Sequence, residues 1–221
     1  MENNTTELPL KETYHRKIST VDLCVIYSMI IKRIAKGYSA SEVSFLMGYE
    51  NGAIEKLEQL NFKELTIGEL HNYTNVLGDD AFRGIIMSDM DEKQDIDYHI
   101  VKTTERAIIH HEVFTILPDN SSRQIFNLFE VNPEYEKLKY STSYETGIKD
   151  TKEILNSLLE GALFQSPERP FDIYERCRRI STSIRPYYVQ VVLNDMAQSK
   201  DYPKFKRTKT KKYGYLYEKA F

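Results

Sequence analysis

Apolar positions Leu23, Ile26, Tyr27, Ile30, Ile31 and Ile34 recur at helical spacing and predict a helix over 21–35. Ser19 and Thr20 stand just ahead of it as N-cap candidates, and Gly37 is a stop signal. Ser39, with Glu42 three positions on, has the spacing of a capping box and opens a short helix over 40–47 that ends at Gly48. A third helix over 51–60 points Ile54 and Leu57 inward. A fourth starts after Thr66, with Glu69 at its third position, and buries Ile67, Leu70, Tyr73, Val76 and Leu77 before Gly78.

The pattern changes twice downstream. Residues 107–117 are β-branched and aromatic, 118–122 carry turn chemistry, and Arg123 to Val131 alternates again. This reads as a β-hairpin, which must pack on something because two strands alone are marginal. Helices resume at Asp150 or Thr151, with Ile154, Leu155, Leu158, Leu159 and Leu163 on one side. A helix follows over 171–179 and another after Pro186, where a missing N–H is harmless. Two aromatic-rich strands around a basic turn, from Tyr202 to Glu218, close the chain.

The four short N-terminal helices resemble the lambda-repressor-like (Cro-type, XRE) helix-turn-helix domain. The resemblance is carried by Gly37-Tyr38-Ser39, Glu42-Val43, Leu46 to Tyr49, Ile54, Leu57-Glu58 and the stretch from Leu65 to Gly78. Ser44 is small enough to let two helices approach, and Gly48 sits where a left-handed backbone is cheap. The resemblance implies that the start of the third helix enters a DNA major groove, with Asn51 and Lys56 as the suitable contacts. Glu50 and Glu55 depart from such a surface, and Ala40 stands where the family usually has Gln. Residues 21–78 hold 5 Lys/Arg against 7 Asp/Glu.

The order helix, helix, helix, hairpin over 150–221 resembles a winged helix-turn-helix domain. The expected fold class is therefore mainly α: an N-terminal four- or five-helix helix-turn-helix domain, a central β-hairpin and a C-terminal winged-helix-like domain. The divisions are a flexible arm (1–20), the helix-turn-helix domain (21–78), an acidic linker with the hairpin (79–149) and the basic module (150–221).

Charge sharpens the functional reading. The 221 residues carry a net −3, yet residues 161–221 hold 13 Lys/Arg against 6 Asp/Glu. A basic end on an acidic body suggests a polyanion partner. Arg178, Arg179, Arg185, Lys204, Lys206, Arg207, Lys209, Lys211 and Lys212 would neutralise phosphates, and Tyr187 would help Arg185 reach a groove.

Other chemistries find little purchase. Asp89, Asp91, Asp95 and Asp97 lack the glycine and the closing Glu of an EF-hand loop. His110 and His111 would diverge across a strand, so no metal is expected. There is no phosphate-binding glycine loop, nucleophile elbow or paired-cysteine motif, so neither catalysis nor a cofactor is expected. Cys24 and Cys177 read as reduced and buried. No apolar run approaches ~18 residues and no leader pattern opens the chain, so a cytoplasmic protein is expected. The leading expectation is a sequence-specific DNA-binding transcriptional regulator on double-stranded DNA, with a homodimer or a protein partner as further expectations. The alternative is an antitoxin- or immunity-like protein-interaction module with a degenerate helix-turn-helix.

Overall fold

The structure, a computed structural model, describes residues 9–61, 65–78, 95–117, 119–199, 205–211 and 214–220. Its elements run β1 (Leu10–Ser19), α1 (Thr20–Lys36), α2 (Ala40–Leu46), α3 (Ala53–Glu58), α4 (Ile67–Leu77), β2 (Asp95–Thr104), β3 (Ile108–Ile116) and β4 (Ser122–Val131). They continue as α5 (Pro133–Lys139), α6 (Ser141–Glu160), α7 (Pro170–Ile180), α8 (Pro186–Gln198), β5 (Phe205–Thr210) and β6 (Gly214–Lys219).

The expectation of a mainly α chain with a lone central hairpin is overturned. β1, β2, β3 and β4 form one four-stranded antiparallel sheet in that order. Leu10–Ser19, read as part of a flexible arm, is an edge strand, with Tyr14 opposite Ile100 and Ile18 opposite Ile96. Asp95–Thr104, read as acidic linker, is the strand between β1 and β3. The helices α1 to α4 fall between two paired strands, so the sheet and the N-terminal helices are one packed unit. The hairpin β3–β4 is as expected, with a register shift between Val113 and Phe114. Asp89 and Asp91 of the acidic run lie outside the described residues.

One face of the sheet packs on α1. Tyr27 stacks on Phe126 with ring centroids 4.5 Å apart. The Thr20 and Tyr98 hydroxyls are hydrogen-bonded at 3.0 Å. Tyr73 of α4 donates to the Met29 carbonyl at 2.9 Å, fixing α4 against the far side of α1. Ser19 caps α1, and the capping boxes Ser39/Glu42 and Thr66/Glu69 open α2 and α4 as the local spacing predicts. Ser44 is fully buried; its hydroxyl accepts from the Ile54 amide at 3.0 Å, which sets α3 against α2.

The C-terminal half begins earlier than its apolar pattern suggests. Asn132 caps α5, and α6 starts at Ser141, so most of the polar stretch before 150 is helical. Its surface is polar because only Tyr144 of the first part of α6 is buried. α8 is the central helix here, burying Tyr188, Val189, Val192 and Leu193. Buried residues of both halves join in one apolar cluster that runs from Leu23 to Tyr217. Cys177 is buried, Cys24 is half-buried, and both are free thiols. Among the described residues, no helix is long and apolar enough to cross a membrane.

Candidate nucleic-acid interface

The basic ribbon β5–β6 is held at both ends. At its base Phe205 and Tyr217 are buried and stacked. Tyr217 exchanges two 2.9 Å backbone hydrogen bonds with Glu168, and the Lys219 amide donates to the Phe164 carbonyl at 2.9 Å. At its tip the Tyr215 amide donates to the Gly48 carbonyl at 2.7 Å. Gly48 is the turn between α2 and α3, so the ribbon rests on the start of α3.

Glu50 completes this joint. Its Oε1 accepts from Lys209 Nζ at 2.7 Å and from the Tyr215 hydroxyl. These hydrogen bonds, Lys209's first, hold the Glu50 carboxyl below the usual carboxylate range. The residue that looked hostile to a polyanion is thus neutralised by the ribbon. Arg207 lies over the Tyr215 ring at 4.3 Å and Lys209 at 5.5 Å. Lys206 is 3.6 Å from Glu218 on the other face of the ribbon. Lys206, Arg207, Lys209 and Lys211 are all exposed. Lys204 and Lys212 lie outside the described residues.

Asn51 follows Glu50 directly and is exposed; its Oδ1 accepts from the Ser41 hydroxyl at 2.9 Å. Lys56 is exposed on α3. The structure therefore brings Lys209 to Glu50, the residue before Asn51, with Lys56 further along α3, and leaves Lys206 on the other face of the ribbon.

The remaining predicted residues sit elsewhere. Arg178 and Arg179 are exposed at the end of α7, Arg178 being 3.6 Å from Glu175. Arg178 and Arg185 line one open cleft with Lys36, Thr182 and Ser183. Arg185 is half-buried and turned toward its own chain, donating to the Tyr144 hydroxyl at 2.8 Å and to Glu136 at 3.3 Å. The Tyr187 amide donates to Glu42 Oε1 at 3.2 Å, and its ring receives Lys137 at 4.2 Å. The first turn of α8 is thus covered by α2, α5 and α6.

Two features escaped the sequence reading. Glu42 closes its capping box through Oε2 and also caps α8 through Oε1, a joint across 145 positions. The other is a buried ionic cluster. Arg33, 1% exposed, donates to both oxygens of Glu58 at 2.6 and 2.8 Å, to Glu130 at 2.6 Å and to the Tyr38 carbonyl at 2.9 Å. His111 joins it at 2.8 Å from Glu130. His110, on the opposite face of β3, stacks on Phe129 at 4.2 Å. Burial pushes the Glu130 carboxyl up, but the hydrogen bond from His111 and the charge and hydrogen bond of Arg33 outweigh it and hold it at about 2. The only sequence signal for this cluster was an Arg on the apolar face of a predicted helix. Among the described residues, no group of three His, Cys, Asp or Glu is arranged to hold a metal ion.

Comparison with family models, with curated proteins and with solved structures finds no match.

Proposed function

We propose that this chain is a cytoplasmic DNA-binding transcriptional regulator whose DNA face is composite: the start of α3 together with strand β5. One observation carries the reading. The joint of Gly48 and Glu50 with Tyr215 and Lys209 seats the basic ribbon on the start of α3, and Lys209 pairs with the acid at the helix entrance. Exposed ion pairs such as Lys209–Glu50 contribute little, so a phosphate exchanges readily with the carboxylate. Arg207, Lys209, Lys211 and Lys56 engage backbone phosphates, and Asn51 reaches a base edge through its amide. Arg185 and Tyr187 are left out of this face because Glu136 and Tyr144 engage Arg185, and Glu42 and Lys137 engage the amide and the ring of Tyr187. Titration of the protein with duplex DNA across a salt series tests it. Four phosphate contacts give a log–log slope of about −3.6, and no binding at low salt sinks the proposal.

A second reading, a protein-interaction module, is favoured by the face of the sheet opposite α1. There Phe129 and Val131 are each 58% exposed beside Ile108, an apolar patch unusual for a strand face turned to solvent. Protein association that is lost in a Phe129→Ser/Val131→Ser variant, with no DNA affinity in the parent, would favour it instead.

A further inference from the structure

Between the inner face of the sheet and the helices α2, α3 and α5 lies a cavity of about 140 Å³, lined on one side by Tyr14 and Tyr27. Most charged groups in its wall are already paired. Arg33 satisfies Glu58 and Glu130, Glu130 holds His111, and Lys137 is 2.7 Å from Glu134. Two are not. Glu55 receives from a side chain only a long 3.4 Å contact from Ser44, whose hydroxyl also donates to the Ala40 carbonyl at 2.9 Å. Lys102 makes no hydrogen bond or ion pair among the described residues, although Glu12 stands opposite it across the β1–β2 register. Glu55 and Lys102 both line the cavity and do not pair with each other.

We infer that this cavity binds a small zwitterion, with its ammonium on Glu55 and its carboxylate on Lys102, the chemistry of a free α-amino acid. A carboxylate and an ammonium that have no ion-pair partner among the described residues, around one cavity, ask for opposite charges on one molecule; a simple cation or anion would answer only one of them. Burial raises the Glu55 pKa, against the lowering by its own backbone amide, with the neighbouring Glu58 adding to the rise and the Arg33 charge and Ser44 reducing it. Size narrows the class. A cavity of about 150 Å³ holds a molecule of benzene's size, so ligands of roughly six to eight non-hydrogen atoms fit. Ser39, Ser41 and Gln59, also in the wall, favour a compact and partly polar side chain over a long aliphatic one. This inference does not rest on the DNA reading, and its test contains no DNA.

The probes are L-alanine, L-serine, L-threonine, L-proline and L-valine, each with its carboxamide and with the analogue of equal size in which oxygen replaces the amino nitrogen. Binding to the full chain is measured by calorimetry and by the shift in thermal midpoint. At least one free amino acid is expected to bind, and removing either charge should weaken it at least tenfold. Glu55→Gln should abolish the discrimination against the oxygen analogue. Lys102→Met should abolish the discrimination against the carboxamide. The proposal is overturned if none of the five binds, if the forms lacking one charge bind equally well, or if both folded variants discriminate as the parent does. Those forms are tested on the unaltered chain, so a variant that fails to fold does not remove the test.

Discussion

Gly214 lies so close to Gly48 that a Cβ on it would stand 2.0 Å from the Gly48 carbonyl oxygen. The two are 166 positions apart, and their approach lets the next residue, Tyr215, donate its amide to that same oxygen. Gly214 also has φ +66°, where a side chain is strained. The tip of the basic ribbon is therefore fitted to the turn before α3, and an added methyl group has to push the two apart.

Gly214→Ala should accordingly destabilise the chain more than Gly52→Ala. Gly52 has a similar φ of +81°, but a methyl group added there would meet nothing within 4 Å, so only the backbone cost of about 1–2 kcal/mol applies. At Gly214 the loss of the Tyr215–Gly48 hydrogen bond adds about 1 kcal/mol or more. Urea midpoints of the two variants decide the matter: equal losses would mean that the joint contributes nothing to stability.

Glu50→Gln should raise DNA affinity. The substitution removes a carboxylate beside the proposed phosphate path and releases Lys209 from a 2.7 Å ion pair. Both partners are exposed, so stability should change little. We expect a severalfold gain in affinity at moderate salt, read by fluorescence anisotropy. A loss of affinity would instead make Glu50 part of the binding surface in its charged form.

Arg33→Met should be among the most damaging single substitutions, at about 3–5 kcal/mol, because it leaves Glu58 and Glu130 buried without a counter-ion. Adding Glu58→Gln and Glu130→Gln should recover much of that loss, since the penalty comes from the orphaned charges. Denaturation of the single and triple variants is the measurement, and a triple variant no better than the single one would refute this account. The same cluster sets an acid limit. Glu130 titrates at about 2 when folded against an ordinary value of 4.5. Its stabilisation is therefore fully present above 4.5 and is lost as pH falls from there toward 2. Glu130→Gln should flatten the stability profile across that window.

What the sequence disclosed divides along the same line as local and distant partners. Ser39 with Glu42 and Thr66 with Glu69 act within one turn, so their spacing alone reveals them. β1 is different: its inward positions are Glu12, Tyr14, Arg16 and Ile18, too polar to read as a strand until β2 lies beside them. β2 does alternate through Ile96, Tyr98 and Ile100, but the acids around it mask the pattern. The candidate DNA residues were legible as chemistry and illegible as placement. Lys209 and Arg185 look alike in sequence, yet one ends on an exposed ribbon and the other against Glu136 and Tyr144. Glu42 deciding the environment of α8 is a contact that no local rule contains.

The exposed cations on the Tyr215 side of the ribbon, Arg207 and Lys209, are replaced by Ala together with Lys211 at its turn. If each neutralises about one phosphate, the salt slope should shrink by about 2.7, near 0.9 for each lost contact, and affinity should fall about equally for all sequences. Asn51→Ala should behave differently, weakening preferred sequences by about 1–3 kcal/mol while leaving the slope unchanged. Folding should survive both changes, because the anchors of the ribbon are Phe205, Tyr217 and backbone hydrogen bonds at Glu168 and Phe164 rather than its lysines. A lysine-rich ribbon that only shields its own edge predicts another outcome: DNA binding unchanged and aggregation increased. Measuring affinity, salt slope and solubility on the same variant separates the two, and an unaltered slope would end the proposal that β5 lies on the phosphate backbone.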